Sequence, residues 1–233
     1  MKRLTVILFS FIFVGVLNAQ NLDRVIEKHL EAINFDKLSK FNSLIIKGHI
    51  NLQGMKLDME MYQKGPDKIK SVSIISGMEM VQVINGDRGY MINPMMGSSE
   101  PVLLTSDQIA SIKKGSMLSD HLLRDYGAGH MEMDGEEEVA GRPAYKIKIM
   151  APEGTRYIFI DKELYYITQM RMRVEQMGME VTLEMRMRDF SVTDGITMAR
   201  AVDTFMDGQP AGTAVYKSIE FNRNIDDSVF EIK

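Results

Sequence analysis

The sequence predicts a mainly β, α+β protein: a single curved antiparallel sheet of about ten strands, its apolar face covered by helices. Three observations carry this. Apolar and polar residues alternate with period two along most of the chain, as where Met55, Leu57, Met59 and Met61 interleave with Lys56, Asp58, Glu60 and Tyr62. Turn pairs such as Asn85-Gly86, Asp194-Gly195 and Asp207-Gly208 punctuate these runs. Helical spacing is confined to the start of the chain and one central stretch. A sheet of this size curls, and its apolar face must be buried beneath another layer.

The first element is read as an address. Lys2 and Arg3 precede an apolar run from Leu4 to Leu17, then Asn18-Ala19-Gln20. The run is too short to span a bilayer comfortably and has no stop-transfer cluster, so residues 1–19 are expected to be a signal peptide cut after Ala19. Residues 20–233 then form one exported, soluble, periplasmic domain. Leu22, Val25, Ile26, Leu30 and Ile33 mark an amphipathic helix. A hairpin follows, with Leu44, Ile46, Ile50 and Leu52 on the apolar face of its first strand and Met55 to Met61 on that of its second. Gly65-Pro66-Asp67 turns the chain into strands Ile69–Ile75 and Met78–Ile84, and Met91–Pro101 reads as a loop. Thr105-x-x-Gln108 is a capping box for a helix carrying Ile109 and Ile112, and a second helix, Met117–Tyr126, carries Leu118, Leu122 and Leu123. Glu136-Glu137-Glu138 reads as a solvated turn. The remaining strands are Tyr145–Ile149, Thr155–Asp161, Leu164–Val174, Met179–Phe190, Ile196–Met206 and Thr213–Asn222.

One hairpin can be placed in register. A turn at Met177-Gly178 sets Arg171 against Glu184 and Arg173 against Thr182, with Met170, Met172 and Val174 meeting Met185, Leu183 and Val181 on the other face. The charged pair is expected to be exposed. No shift of composition marks a linker, hence the single domain.

Composition excludes several functions. The 233 residues are 45% hydrophobic and 26% charged, with 0 Cys. There is therefore no disulfide framework, no Cys-ligated metal and no thiol nucleophile. The net charge is −4, and losing Lys2 and Arg3 makes it −6, so nucleic acid is not an expected partner. There is no nucleophile elbow, phosphate loop or zinc-protease motif. Ser119-Asp120-His121 has the letters of a triad, but adjacent side chains on a helix splay apart. His29, His49, His121 and His130 lack ligand spacing. No catalytic residue, metal site or cofactor is expected, and the protein is not read as an enzyme.

The chain has 21 Met, including the pairs Met59/Met61, Met78/Met80, Met131/Met133, Met170/Met172, Met177/Met179 and Met185/Met187. Strand periodicity puts both members of a pair on one face. Three readings stay open. Methionine fills a packed core; or it lines an adaptable cavity, since unbranched thioethers repack around ligands of variable shape; or it binds Cu(I), with His130, Met131 and Met133 the best local set. On the cavity reading the lining is Leu44, Ile46, Ile50, Leu52, Met55, Leu57, Met59, Met61, Met170, Met172, Leu183, Met185 and Met187, and the lid is Ile109, Ile112, Leu118, Leu122 and Leu123.

Three further stretches carry a resemblance. They are Tyr157-Ile158-Phe159-Ile160-Asp161-Lys162-Glu163-Leu164, Phe190-Ser191-Val192-Thr193-Asp194-Gly195-Ile196, and the ending Phe221-Asn222-Arg223-Asn224-Ile225-Asp226-Asp227-Ser228-Val229-Phe230. With the order of elements, they resemble the LolA-like carriers of outer-membrane lipoproteins. The resemblance implies an incomplete β-barrel with a helix-lidded concave face that shields acyl chains of a lipid or lipoprotein cargo between membrane-bound donor and acceptor proteins. The cavity arginine that latches the lid in well-known members has no evident counterpart, and the absence of Cys resembles the soluble carrier. The alternative is a non-catalytic partner-binding or sensor domain on the same scaffold, with its core filled.

Overall fold

The computed structural model describes residues 21–52, 54–94, 98–114, 126–151, 154–176 and 178–231. The expected signal peptide, the Ser119-Asp120-His121 stretch and lid candidates Leu118, Leu122 and Leu123 lie outside them. Helix α1 covers 21–33 and α2 covers Phe35–Leu38. Strands β1 (Ser43–Leu52), β2 (Met55–Lys64), β3 (Lys68–Ile75), β4 (Met78–Asn85), β5 (Arg88–Asn93) and β6 (Ser98–Leu103) precede helix α3 (Ser106–Lys114). Then come β7 (Met131–Val139), β8 (Arg142–Ala151), β9 (Gly154–Asp161), β10 (Ile167–Gln176), β11 (Met179–Arg188), β12 (Ser191–Thr193), β13 (Ile196–Met198), β14 (Ala201–Met206) and β15 (Gln209–Phe221). A 3-10 turn, Asp227–Phe230, follows.

Thirteen strands form one sheet, in the order β6-β5-β4-β3-β2-β1-β15-β14-β11-β10-β9-β8-β7, and β12 and β13 pair separately. The sheet is open, with β6 and β7 as its edges. The mainly β, antiparallel, unclosed architecture is the expected one, with more strands than expected. Among the described residues no helix is long and apolar enough to cross a membrane.

The chain separates into two compact units. The first takes its described residues from Met1–Phe35, Leu122–Arg186 and Phe205–Gly208. Its core is Leu22, Val25 and Ile26 of α1 packed on Met131, Ile147, Ile149, Ile158 and Ile160. Buried His29 ties α1 to the β9–β10 turn through Nδ1 to the Tyr165 carbonyl at 2.8 Å. The opposite face of this sheet is a charge ladder, with Lys148–Glu132, Lys146–Asp134 and Arg171–Glu137 all paired within 2.9 Å, while Lys162–Glu136 pairs at 2.6 Å on the core side, beside Tyr145.

The second unit takes its described residues from Asp36–His121, Met187–Thr204 and Gln209–Lys233. One face of its sheet packs Leu44, Ile46, Ile219 and Phe221 beneath Ile196 of the β12–β13 hairpin and Leu38 of α2. The same face, further along β3 and β4, packs Ile69 and Ile84 under Ile109 of α3. The other face is covered by the C-terminal segment, with Ile225 and Phe230 on Val83. Lys64 and Lys68 both grip Asp227, at 2.6 and 2.7 Å, and hold its carboxyl down at about 2.

Several expectations meet the structure directly. The capping box forms: Thr105 Oγ1 accepts from Gln108 N at 3.3 Å, and Gln108 Oε1 accepts from Thr105 N at 2.8 Å. The β10–β11 register is the predicted one, including Arg171 opposite Glu184 and Met172 opposite Leu183. That charged pair is half-buried rather than exposed: Glu184 is only 14% exposed, and Arg171 also reaches Glu137 and stacks over Phe159.

Other expectations are corrected. Glu136-Glu137-Glu138 is no turn but part of edge strand β7. Charge on an exposed edge discourages pairing with another chain, so the strand tolerates the run. Part of the expected Met91–Pro101 loop is β6, the other edge, where Pro101 and Glu100 serve the same end. Leu164–Val174 begins as strand only at Ile167, because Tyr165 takes φ 56° in the turn. Ile196–Met206 is two strands, β13 and β14, broken near Arg200, whose guanidinium donates to the Ser191 and Thr193 hydroxyls.

Candidate functional site

The methionines mark the candidate surface. Among the described residues, Met131 is the one methionine within the buried hydrophobic core, which is otherwise Ile, Leu, Val, Phe and Ala. The rest sit on half-covered or exposed positions. Methionine therefore does not fill these cores. Met131 and its neighbour Met133 pack in the first unit's core beside Ile147 and Ile149.

In the first unit, Met170, Met172 and Val174 of β10 stand opposite Met185, Leu183 and Val181 of β11. All six are half-buried. Met170 touches the α1-covered core; the others continue the same face beyond it. Arg171, Arg173 and Glu184 point the other way, as the pleat requires.

In the second unit, the register defines two rows across neighbouring strands. One runs Tyr216, Gly48, Met59, Ser73, Met80, and the other Ile46, Met61, Ser71, Gln82, Met91. Small residues thus lie between tall ones. Ser71 and Ser73 on β3 form a low strip, with Met59 and Met61 of β2 along one side and Met80 and Gln82 of β4 along the other. All six are half-buried. At one end of the strip α3 sits over Ile69 and Ile84, with Ile109 buried and Ile112 packed beside it. Gly89 makes that approach possible, since a Cβ there would lie 2.9 Å from the Leu104 side chain and 3.0 Å from that of Ile109.

The other lining candidates distribute unevenly. Leu44 and Ile46 are fully buried in the packed cluster, with Met59 and Met61 against it. Leu57 is buried and Ile50 half-buried. Leu52 and Met55, paired beside the β1–β2 turn, are 36% and 51% exposed at the rim. Met187 is half-buried. The sequence reading missed Ser71, Ser73, Met80, Gln82 and Met91. The signal was present in the strand alternation of β3, where serines take the apolar-face positions between Ile69 and Ile75.

Chemically the strip offers thioethers, one amide and two hydroxyls, and no formal charge. Ion pairs crowd the opposite faces, where Glu60 accepts from Tyr62 and Lys47 and is held below the usual carboxylate range, first by the Tyr62 hydrogen bond. No group of three or more His, Asp or Glu able to hold a metal occurs among the described residues.

No protein-family model and no curated protein sequence matches the chain. Solved structures do. A domain described as an outer membrane lipoprotein-sorting protein, from Vibrio parahaemolyticus, superposes with a TM-score of 0.56 at 11% identity over 88% of this chain and 96% of that one. A LolA superfamily protein from Nitrosomonas europaea gives 0.56 at 12% identity over 88% and 97%. A DUF1329 family protein from Desulfovibrio piger gives 0.56 at 13% identity over 89% and 97%. The chain shares the fold of these structures.

In this fold the three stretches that carry the sequence resemblance have defined places. Asp161 ends β9 and is buried, accepting from Arg142 Nε at 2.6 Å and from the backbone N–H groups of Glu163 and Leu164 at 2.9 and 2.8 Å. The Asp194-Gly195 turn joins β12 to β13 and delivers Ile196 to the second unit's core. The ending delivers Ile225 and Phe230 to its other face.

Proposed function

We propose that the protein is an exported, non-catalytic carrier that shields acyl chains of a lipid or lipoprotein in the periplasm, for outer-membrane sorting. The observation that carries this reading is the scarcity of methionine in the packed cores, where Met131 is the one buried example among the described residues, and its concentration on half-covered apolar faces. Flexible thioethers suit a surface that yields to a ligand, whereas a unique packed core is better specified by Leu, Ile and Val, which are the residues found there. The likeness to a lipoprotein-sorting domain supports the same reading. In the second unit the acyl chain lies over Ser71 and Ser73. Strands are about 4.8 Å apart, so β2 and β4 flank this strip at about 10 Å, room for one file of methylenes between methionine walls. Each methylene taken from water stabilises the complex by ~0.8 kcal/mol.

Native mass spectrometry of the purified protein and a fluorescent fatty-acid titration test this reading. Co-purified lipid and saturable binding are expected. Changing Ser71→Leu together with Ser73→Leu fills the strip without burying a charge, so binding is lost while the thermal melt is kept. A wild-type protein that neither carries lipid nor binds the fatty acid would sink the proposal. That result would leave the partner-binding alternative, which the fully packed Leu44–Ile46 cluster favours.

A further inference from the structure

Besides its adaptability, a methionine wall has a second property that a leucine wall lacks. Leucine offers similar apolar bulk and loses less side-chain entropy when ordered. What leucine lacks is a sulfur open to oxidation. The chain has 0 Cys, so all of its sulfur is thioether and no thiol competes for an oxidant. The methionines are also placed within reach of solvent. Met55, Met78, Met150 and Met179 are 51%, 43%, 40% and 64% exposed, and Met59, Met61 and Met80 are half-buried along the Ser71–Ser73 strip, with Met91 of β5 half-buried behind Gln82 in the same wall, while Met131 is buried at 7%.

We propose that these four wall methionines, Met59, Met61, Met80 and Met91, form an oxidative modification site through which peroxide lowers the affinity of the strip for an acyl chain. The inference rests on the carrier reading above and adds its regulation. In the reaction the thioether sulfur attacks one peroxide oxygen. An S–O bond forms, the O–O bond breaks, and the second oxygen leaves as water after taking the proton. Sulfur gives up two electrons and hydrogen peroxide accepts them. The product is a methionine sulfoxide, polar and chiral where the thioether was apolar. A sulfoxide oxygen held against methylenes loses its water without gaining a donor, so the cargo complex is penalised. The cores stay intact because they contain little methionine to oxidise. A thiol-dependent sulfoxide reductase reverses the change by oxidising two thiols to a disulfide and releasing water.

The experiment treats the exported protein with hydrogen peroxide and follows three readouts: sulfoxide at each methionine by peptide mass spectrometry, the thermal melt, and fluorescent fatty-acid affinity. The four wall methionines and the exposed Met55, Met78 and Met179 are expected to oxidise while Met131 remains a thioether. The melt is retained and affinity falls about tenfold. The variant Met59→Leu/Met61→Leu/Met80→Leu/Met91→Leu is read against its own untreated affinity, which peroxide leaves unchanged. The separate pairs Met59→Leu/Met61→Leu and Met80→Leu/Met91→Leu serve if the four changes together unfold the domain; each then loses less affinity than wild type. Wild-type protein that carries the wall sulfoxides and binds as before overturns the inference. So does global unfolding on oxidation, or an equal loss in the leucine variants. Untreated wild type that binds no fatty acid overturns the carrier reading, and this inference with it.

Discussion

Asp161 organises the β9–β10 turn around one carboxylate. Its side chain is 1% exposed, and the Arg142 hydrogen bond, aided by the backbone N–H groups of Leu164 and Glu163, holds its carboxyl below the usual range. A depressed carboxylate contributes stability that is complete above the unfolded value of about 3.9 and is lost as pH falls through the folded one. Asp161→Asn should therefore cost about 1–3 kcal/mol at neutral pH by urea denaturation and flatten the acid limb of the stability curve. His29 acts at higher pH. Burial pushes its imidazole down, against the opposing hydrogen bond to the Tyr165 carbonyl. The unfolded chain then takes up a proton near pH 6.5 that the folded chain resists, so stability is complete above that pH and declines below it. Melts at pH 7.5 and pH 5.5 should show a drop for wild type that is reduced in His29→Gln, whose amide can still donate to Tyr165; an equal drop in both would assign the effect elsewhere.

At the scale of the element, β1 and β15 pair through an irregularity at Lys47/Gly48. A Cβ on Gly48 would lie 2.0 Å from the Val215 carbonyl oxygen, so no side chain fits where the two backbones approach. Gly48→Ala should destabilise the second unit by about 2–4 kcal/mol, read from a denaturant midpoint. Gly54→Ala is the informative comparison: its Cβ meets nothing, and its cost comes from φ +86° alone. The two elements fail differently because one glycine makes room for a neighbour and the other only supplies a turn conformation.

At the scale of the molecule, each unit has its own core and its own half-covered apolar face. The first unit's stripe gives a second test of the carrier reading. Changing Met172→Glu together with Met185→Glu places two carboxylates on a face that is half-buried. Carboxylates that reach water cost little, whereas unpaired ones in a dry core cost several kcal/mol each. A retained thermal melt with reduced fatty-acid binding is the expected result. Global unfolding would identify the stripe as packed core.

Periodicity by itself determined the strand-rich fold, the α1 stripe of Leu22, Val25 and Ile26, the Thr105 capping box and the β10–β11 register. These are local patterns, set by period 3.6 or 2 and by a turn only residues away. Tertiary structure alone decided the rest. Glu136-Glu137-Glu138 reads as a turn until β7 is known to be a sheet edge, where charge is an advantage. Leu44 and Met59 share one apolar face in the sequence pattern. Which of them is sealed and which stays half-open depends on Ile196 and Leu38, brought from distant segments to close over Leu44. The strip of Ser71 and Ser73 needs the pairing of β2, β3 and β4 before its walls can be named. Alternation tells which way a side chain points; only the long-range partners that cover it, or leave it uncovered, tell what it does there.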